Sequence, residues 1–146
     1  MFEQGLMAML SVATDPYLLF LIFVTTILGV VIGVLPGLGA TTGAALLLPF
    51  TLTMDPVHAI AVLATIYVSA TFAGSITAIL INTPGTSAAA ATTFDGYPLA
   101  QKGEAGRALG VAVISSTVGG VFSVIILCFA APVSYTHLRA HETTCD

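Results

Sequence analysis

Residues 29–43 read G-V-V-I-G-V-L-P-G-L-G-A-T-T-G, and this stretch decides the fold because it interrupts a long apolar run. Proline lacks a backbone N–H and its ring clashes with the preceding turn, so a helix arriving from Tyr17 is predicted to end near Leu35. Gly37 and Gly39 then allow backbone conformations that other residues resist. Inside a bilayer, freed peptide groups must be buried in protein or line a polar cavity. The stretch therefore predicts either a helix broken at membrane depth for a ligand, or a tight turn between two short helices at the membrane surface.

The composition indicates a membrane protein. Of the 146 residues, 57% are hydrophobic and 7% are charged, and the mean hydropathy is +1.05. Soluble domains carry about 25% charged residues, so this chain has too few polar side chains to coat a water-soluble globule. A net charge of −4 argues against a nucleic-acid partner, which needs clustered Lys and Arg. Cys128 and Cys145 have no metal-type spacing, and no metal or cofactor is predicted.

Three apolar runs without Asp, Glu, Lys or Arg are long enough to cross a membrane. They cover residues 17–35, 57–81 and 108–132. Nineteen helical residues extend about 28 Å, close to the ~30 Å of a hydrocarbon core. Asp15-Pro16 and Asp55-Pro56 precede the first two runs and are helix-start signals, with Asp as N-cap and Pro at the first helical position. The apolar run 40–54 is too short to span comfortably and predicts a re-entrant segment or half-helix.

A second Pro-Gly break, N-T-P-G-T-S at residues 82–87, follows the second run. Two such interruptions in similar settings are the sequence pointer to a transport site, although an Ala/Ser/Thr-rich surface loop is the alternative. Helix N-termini at the breaks would favour a carboxylate, because their N–H groups are unpaired and carry partial positive charge. The candidate substrate- or ion-binding residues are Pro36, Gly37, Gly39, Thr41, Thr42, Asn82, Thr83, Pro84, Gly85, Thr86 and Ser87.

The remaining segments give weaker predictions. Residues 1–16 are mildly amphipathic and predict an interfacial N-terminal helix. Asp95-Gly96-Tyr97-Pro98 predicts a turn, and the hydrophilic loop 101–107 is predicted to be cytoplasmic by its Lys and Arg. Glycines 29, 33 and 37 are spaced by four and suit close helix packing. His58 is expected near an interface, with a proton relay as the alternative.

The tail 134–146 differs in kind from the rest of the chain. It holds two of the three His and one of the two Cys. Its string V-S-Y-T-H-L-R-A-H-E-T resembles a recurrent translated sequencing-adaptor artefact. We therefore predict that the tail is non-native, and we assign no metal site to His137, His141 and Cys145.

No enzyme motif is supported. Gly37-Leu-Gly39-Ala-Thr-Thr-Gly43 has the look of a dinucleotide-binding fingerprint, but that motif needs a short strand before it and a soluble α/β unit around it. A hydrolase would need a nucleophile with a base or paired carboxylates at depth. No such pair is evident, and the chain is not predicted to be an enzyme.

Several motifs in order resemble the large membrane subunit of tripartite tricarboxylate transporters, the TctA family. They are G-V-V-I-G-V-L-P-G-L-G at 29–39, L-L-L-P-F at 46–50, Asp55-Pro56, the G-S-I-T-x-I-L-x-N-x-P-G pattern at 74–85, and D-G-Y-P at 95–98. The resemblance covers about residues 5–132, so residues 17–133 are interpreted as the N-terminal part of a transporter membrane domain. Members are several times longer and contain two related halves, which makes this chain a predicted fragment.

The resemblance implies a multi-pass protein of the bacterial inner membrane. It would be the permease of a secondary transporter for carboxylates such as citrate, driven by Na⁺ or H⁺. Its partners would be a small membrane subunit and a periplasmic solute-binding protein. The expected fold is an all-α integral membrane protein with about three transmembrane helices and broken or re-entrant segments after Pro36 and Pro84. The alternative function is a non-transporting scaffold or assembly subunit whose glycines serve helix packing alone.

Overall fold

The computed structural model describes residues 14–142, and within them the chain is helical with short connections and no strand. The elements are α1 (Pro16–Val34), α2 (Gly39–Thr51), α3 (Pro56–Ile81), a 3₁₀ turn (Ser87–Ala89), α4 (Ala90–Leu99), a π-helical turn (Ala100–Glu104) and α5 (Ala105–Glu142). Helices α1 and α3 and the run Ser87–Cys128 are long and apolar enough to cross a membrane. The predicted all-α membrane fold with about three spanning helices is confirmed. The predicted interfacial helix at 1–16 lies almost entirely outside the described residues.

Helices α1 and α3 begin as their Asp-Pro signals predict. Asp15 Oδ1 accepts hydrogen bonds from the amides of Tyr17 at 2.9 Å and Leu18 at 3.4 Å. Asp55 Oδ2 accepts one from the amide of Val57 at 3.3 Å. These caps satisfy backbone donors that a helix leaves unpaired in its first turn.

Helices α1 and α3 run parallel, and α2, which connects them, runs in the opposite direction. At their starts, Asp15 lies 3.3 Å from His58. Further along, Gly33 packs so closely on α3 that an added Cβ would lie 2.7 Å from the Cα of Ala70. Helix α2 then brings the chain back to the level of Asp15, and its Gly43 fits against Ile32 of α1. Helix α2 is only about 20 Å long, so the connection at 52–55 covers the remaining distance to the start of α3.

Buried side chains lie where these helices meet, and large apolar side chains cover the outside. Leu18, Ile66 and Ile79 are the largest fully buried residues. Phe20, Phe23 and Val68 are among the many exposed large hydrophobic residues. A soluble protein rarely exposes apolar patches of this extent, whereas a bilayer accepts them. Hydroxyl groups on the helices bond their own backbone, as Thr71 does with the carbonyl of Tyr67 at 2.7 Å.

The predicted turn at Asp95–Pro98 is wrong, because these residues lie inside α4. Gly96 is used for packing: an added Cβ would lie 2.7 Å from Cγ1 of Ile79 on α3. The chain bends instead at Gly103, whose φ is 83°. The hydrophilic residues 101–107, predicted as a loop, therefore form a π-helical turn and the start of α5.

The chain divides into two compact units between Leu109 and Gly110, and the described part of the second unit is the continuation of α5. The hydroxyls of Ser115 and Thr117 in α5 donate to the carbonyls of Val111 and Val113. Residues 134–142 continue the backbone of α5. The boundaries at residues 16 and 133 and the non-native origin of the tail stay predictions.

Candidate substrate site at the two chain breaks

The first break is a tight turn between α1 and α2. Helix α1 ends at Val34, and Leu35 is extended, as expected for a residue before proline. The amide of Leu38 donates to the carbonyl of Leu35 at 3.2 Å. With Pro36 second and Gly37 third, at a φ of 94°, the arrangement is typical of a type II turn. Gly37 has no atom within 4 Å of an added Cβ, so its backbone conformation, and not crowding, requires glycine.

The second break folds back against the end of α3. Asn82 ends α3 in the left-handed conformation, at φ 57° and ψ 26°, and its backbone N–H donates to the carbonyl of Thr77. The amide of Gly85 then donates to the carbonyl of Gly74 at 3.3 Å. An added Cβ on Gly85 would lie 2.9 Å from the Cα of Gly74 and would overlap the carbonyl oxygen of Gly33. Three glycine backbones, from α1, α3 and the break, therefore meet without side chains between them.

The two breaks lie side by side. An added Cβ on Gly39, the first residue of α2, would lie 4.0 Å from the carbonyl oxygen of Gly85. The start of α2 thus adjoins the segment that leads into the 3₁₀ turn at Ser87. Because α1 and α3 both end here, four helix termini converge on one place.

The helices that leave the breaks begin without side-chain caps. The N-cap residue of α2 is Leu38 and that of the 3₁₀ turn is Thr86, and neither makes a side-chain capping hydrogen bond. The spanning helices differ, since Asp15 and Asp55 cap both. Side-chain caps are therefore absent where α2 and the 3₁₀ turn begin at the breaks, and present at the opposite ends of α1 and α3. Unpaired N–H groups at a helix N-terminus attract anions.

The hydroxyls predicted at the site lie in three different surroundings. The side chains of Thr41, Thr42 and Ser87 are exposed. Thr83 turns back to donate to the carbonyl of Ile81 at 3.2 Å. The hydroxyl of Thr86 is buried without a hydrogen-bond partner and lies against Gly74 of α3. The exposed group is the one open to a ligand.

Of the candidate residues, the structure brings Gly39 and Gly85 near each other and places Thr41, Thr42 and Ser87 in the first turns of the helices that follow. Pro36, Gly37, Asn82 and Pro84 are exposed parts of the two turns. No Lys or Arg precedes Lys102 in the chain. Within residues 33–43 and 74–90, positive polarity therefore comes from backbone N–H groups.

Sequence reasoning missed the residues that join the breaks, Gly33 and Gly74. Gly33 belongs to the glycine series that predicts packing, and Gly74 begins the pattern at 74–85, but spacing along one helix does not tell which helix lies opposite. It also missed the contact between Asp15 and His58. The signal was present, since His58 follows the repeated Asp-Pro pair by two residues.

Comparison with known proteins gives one family. The model of the tripartite tricarboxylate transporter TctA family matches residues 19–140. The chain is 48% identical over 110 residues to an Agrobacterium vitis protein described as "Uncharacterized 52.8 kDa protein in TAR-I ttuC' 3'region", an alignment that covers 75% of this chain and 22% of the relative. The chain thus spans about a fifth of the length of that curated relative. No solved structure matches it significantly.

Proposed function

Because this chain belongs to the tripartite tricarboxylate transporter TctA family, we propose that it supplies part of the substrate site of a membrane permease for tricarboxylates or related carboxylates. In this proposal the carboxylate binds where the two breaks meet. The family is one of transporter subunits, so the proposed role is translocation and not catalysis.

One observation carries the proposal: two helix N-termini without side-chain caps lie beside each other where the start of α2 at Gly39 adjoins Gly85. Open N–H groups on two half-helices would donate to a carboxylate in the place of a fixed cation. The exposed hydroxyls of Thr41, Thr42 and Ser87 would add further donors. A substrate held by dipoles alone is released more readily than one paired with Lys or Arg, which suits a site that must load and empty.

The same junction would also suit a coupling ion. Helices α1 and α3 end here, and the C-terminal carbonyls of broken helices coordinate Na⁺ in transporters. Residues 33–43 and 74–90 contain no titratable side chain that could take up a coupling proton. Of the two ions that the family resemblance implies, we therefore propose Na⁺ for an ion bound at the breaks.

The whole system would place this permease in the bacterial inner membrane. A small membrane subunit would accompany it, and a periplasmic solute-binding protein would deliver the substrate. These partners belong to the tripartite arrangement that the family name describes.

The test removes hydroxyls while keeping side-chain shape. We expect Thr41→Val/Thr42→Val and Ser87→Ala, made within the complete transport system in proteoliposomes, to weaken citrate affinity about tenfold or more per lost bond, because hydrogen bonds to charged groups contribute about 1.5–3 kcal/mol. Thr71→Val is the matched control, since that hydroxyl bonds its own helix. It should leave affinity and uptake unchanged.

Two outcomes count against the proposal. If the site variants assemble normally and bind citrate with the affinity of the control, the breaks do not hold the substrate. That result would favour a non-transporting scaffold, for which the close packing of Gly29 and Gly33 on α3 is the supporting observation. A rise in apparent affinity for citrate after loss of the hydroxyls would contradict the proposed donors directly.

A further inference from the structure

His58 lies between two carboxylates that cap different spanning helices. Its Nε2 is 3.3 Å from Oδ2 of Asp15, at the start of α1. Its Nδ1 is 3.6 Å from Oδ2 of Asp55, at the start of α3. The ring also packs on Tyr17, with centroids 5.7 Å apart and planes at 52°. The imidazole therefore bridges the beginnings of α1 and α3.

Both carboxylates are held in place by their capping bonds. Oδ1 of Asp15 accepts from the amides of Tyr17 and Leu18, which leaves Oδ2 facing His58. Oδ2 of Asp55 accepts from the amide of Val57 at 3.3 Å. Because the caps fix these oxygens, neither carboxylate can turn away from the imidazole without giving up a helix start.

This geometry suits one protonation state of the ring. A neutral imidazole has one N–H, so one of its nitrogens would point a lone pair at a carboxylate. In the structure, Nδ1 is buried and has no hydrogen-bond partner, although a carboxylate oxygen lies just beyond bonding distance. A proton on each nitrogen turns both contacts into attractions between opposite charges.

The geometry points to a proton-dependent clasp: protonated His58 fastens the start of α1 to the start of α3 through Asp15 and Asp55, and loss of one proton loosens that junction. This inference does not depend on what the breaks bind. Among residues 14–142, the titratable groups that face His58 are Asp15 and Tyr17 from α1 and Asp55 from α3. No Lys or Arg precedes residue 102, so no other fixed cation in this part of the chain balances the two carboxylates.

The position of Asp15 supports the clasp. Desolvation raises the pKa of its carboxyl, but hydrogen bonds from the Tyr17 and Leu18 amides and from His58 together outweigh that effect and lower it. Asp15 therefore keeps its negative charge at and above neutral pH. The clasp lies about 28 Å along α1 from the first break, so it can be loosened without touching the candidate substrate site.

The experiment measures the melting temperature of the 146-residue chain in detergent micelles at pH 5.5 and pH 8. We expect the wild-type melting temperature to fall by a few degrees as the pH rises, and His58→Gln to remove that fall. Asp55→Asn, at a carboxylate whose side chain is 65% exposed, should reduce it while preserving the fold. After correction for the intrinsic pH dependence of exchange, peptides covering residues 14–20 should lose protection between pH 5.5 and pH 8 in the wild type but not in His58→Gln, which localises the effect.

The other two histidines provide the matched control. His137→Gln/His141→Gln should keep the wild-type pH dependence. The inference is overturned if that double variant abolishes the fall, if His58→Gln keeps it, or if the wild type melts at the same temperature at both pH values. If His58→Gln does not fold, Asp55→Asn and the double variant still decide, because an undiminished fall in Asp55→Asn contradicts a clasp built on both carboxylates.

Discussion

Replacing Gly85 by alanine tests the meeting of the two breaks most directly. The new Cβ would lie 2.9 Å from the Cα of Gly74 and 3.5 Å from Oγ1 of Thr77, and would overlap the carbonyl oxygen of Gly33. Two of these neighbours are backbone atoms, which cannot rotate away as a side chain can. Gly85 does not have a positive φ, so alanine meets no backbone strain there, and the effect is one of space alone.

The expected cost follows from overpacking. Forcing an extra methyl into a close contact typically costs about 1–3 kcal/mol, and each kcal/mol lowers the melting temperature of a chain of this size by about 2–4 °C. Gly85→Ala should therefore melt about 2–12 °C below the wild type in the same detergent. The matched control is Gly110→Ala in α5, where an added Cβ has nothing within 4 Å. Alanine also favours a helix by up to about 1 kcal/mol over glycine, so this variant should melt at or above the wild type.

The assay is thermal unfolding followed by circular dichroism, with both variants purified in parallel. Equal melting temperatures for Gly85→Ala and Gly110→Ala would refute the reasoning. The second break would then not be packed tightly between α1 and α3, and the proximity of Gly39 to Gly85 would lose its support.

Two further predictions use other features of the chain. Gly37 and Gly103 both have positive φ, and an added Cβ would have no atom within 4 Å at either position. Gly37→Ala and Gly103→Ala should therefore each lower the free energy of unfolding by about 1–2 kcal/mol. Only Gly37→Ala should weaken citrate binding in the complete transport system, and equal binding by both variants would exclude a role for the first turn. The pKa of Asp15 is lowered from its ordinary value of 3.8, so its ionised form stabilises the fold above that value, and this contribution is lost as the pH falls through the lower folded-state pKa. Asp15→Asn should therefore show a smaller fall in melting temperature between pH 5 and pH 3 than the wild type. An equal fall in the variant and the wild type would contradict that account.

The limits of the helices were largely predictable because local chemistry sets them. Asp15-Pro16 and Asp55-Pro56 start helices α1 and α3, since the Asp side chain accepts hydrogen bonds from the first backbone amides and Pro has no N–H that would need an acceptor. Pro36 ends α1 near Leu35, where the prediction put it. Each signal acts within about four residues, so no knowledge of the neighbouring helices is needed to interpret it.

The turn predicted at Asp95–Pro98 failed because packing outweighed local preference. Its residues are turn formers, yet Gly96 is the position that lets α4 approach Ile79 on α3. Pro98 has no N–H to donate to the carbonyl of Phe94, and the α-helical pattern gives way to the π-helical turn two residues later, at Ala100. A local signal cannot report a contact with a residue seventeen positions earlier.

The candidate site was predictable in its parts but not in its assembly. Both Pro-Gly breaks and the polar residues around them are evident in the sequence. That Gly33 and Gly74 bring the breaks together depends on the parallel arrangement of α1 and α3, which no single-helix pattern specifies. For the same reason the sequence could not separate Thr86, whose hydroxyl is buried on α3, from the exposed Ser87.

The hydroxyls that bond their own helix have a consequence for how the chain is made. Thr26, Ser69 and Thr71 each donate to a carbonyl four residues earlier in the same helix. Each of these segments therefore enters the lipid with its hydroxyl groups already satisfied, so its insertion does not depend on a neighbouring span. The second break differs, because the amide of Gly85 donates to the carbonyl of Gly74 on α3. We therefore expect this break to settle only after α3 has formed, which makes its docking a late event in biogenesis.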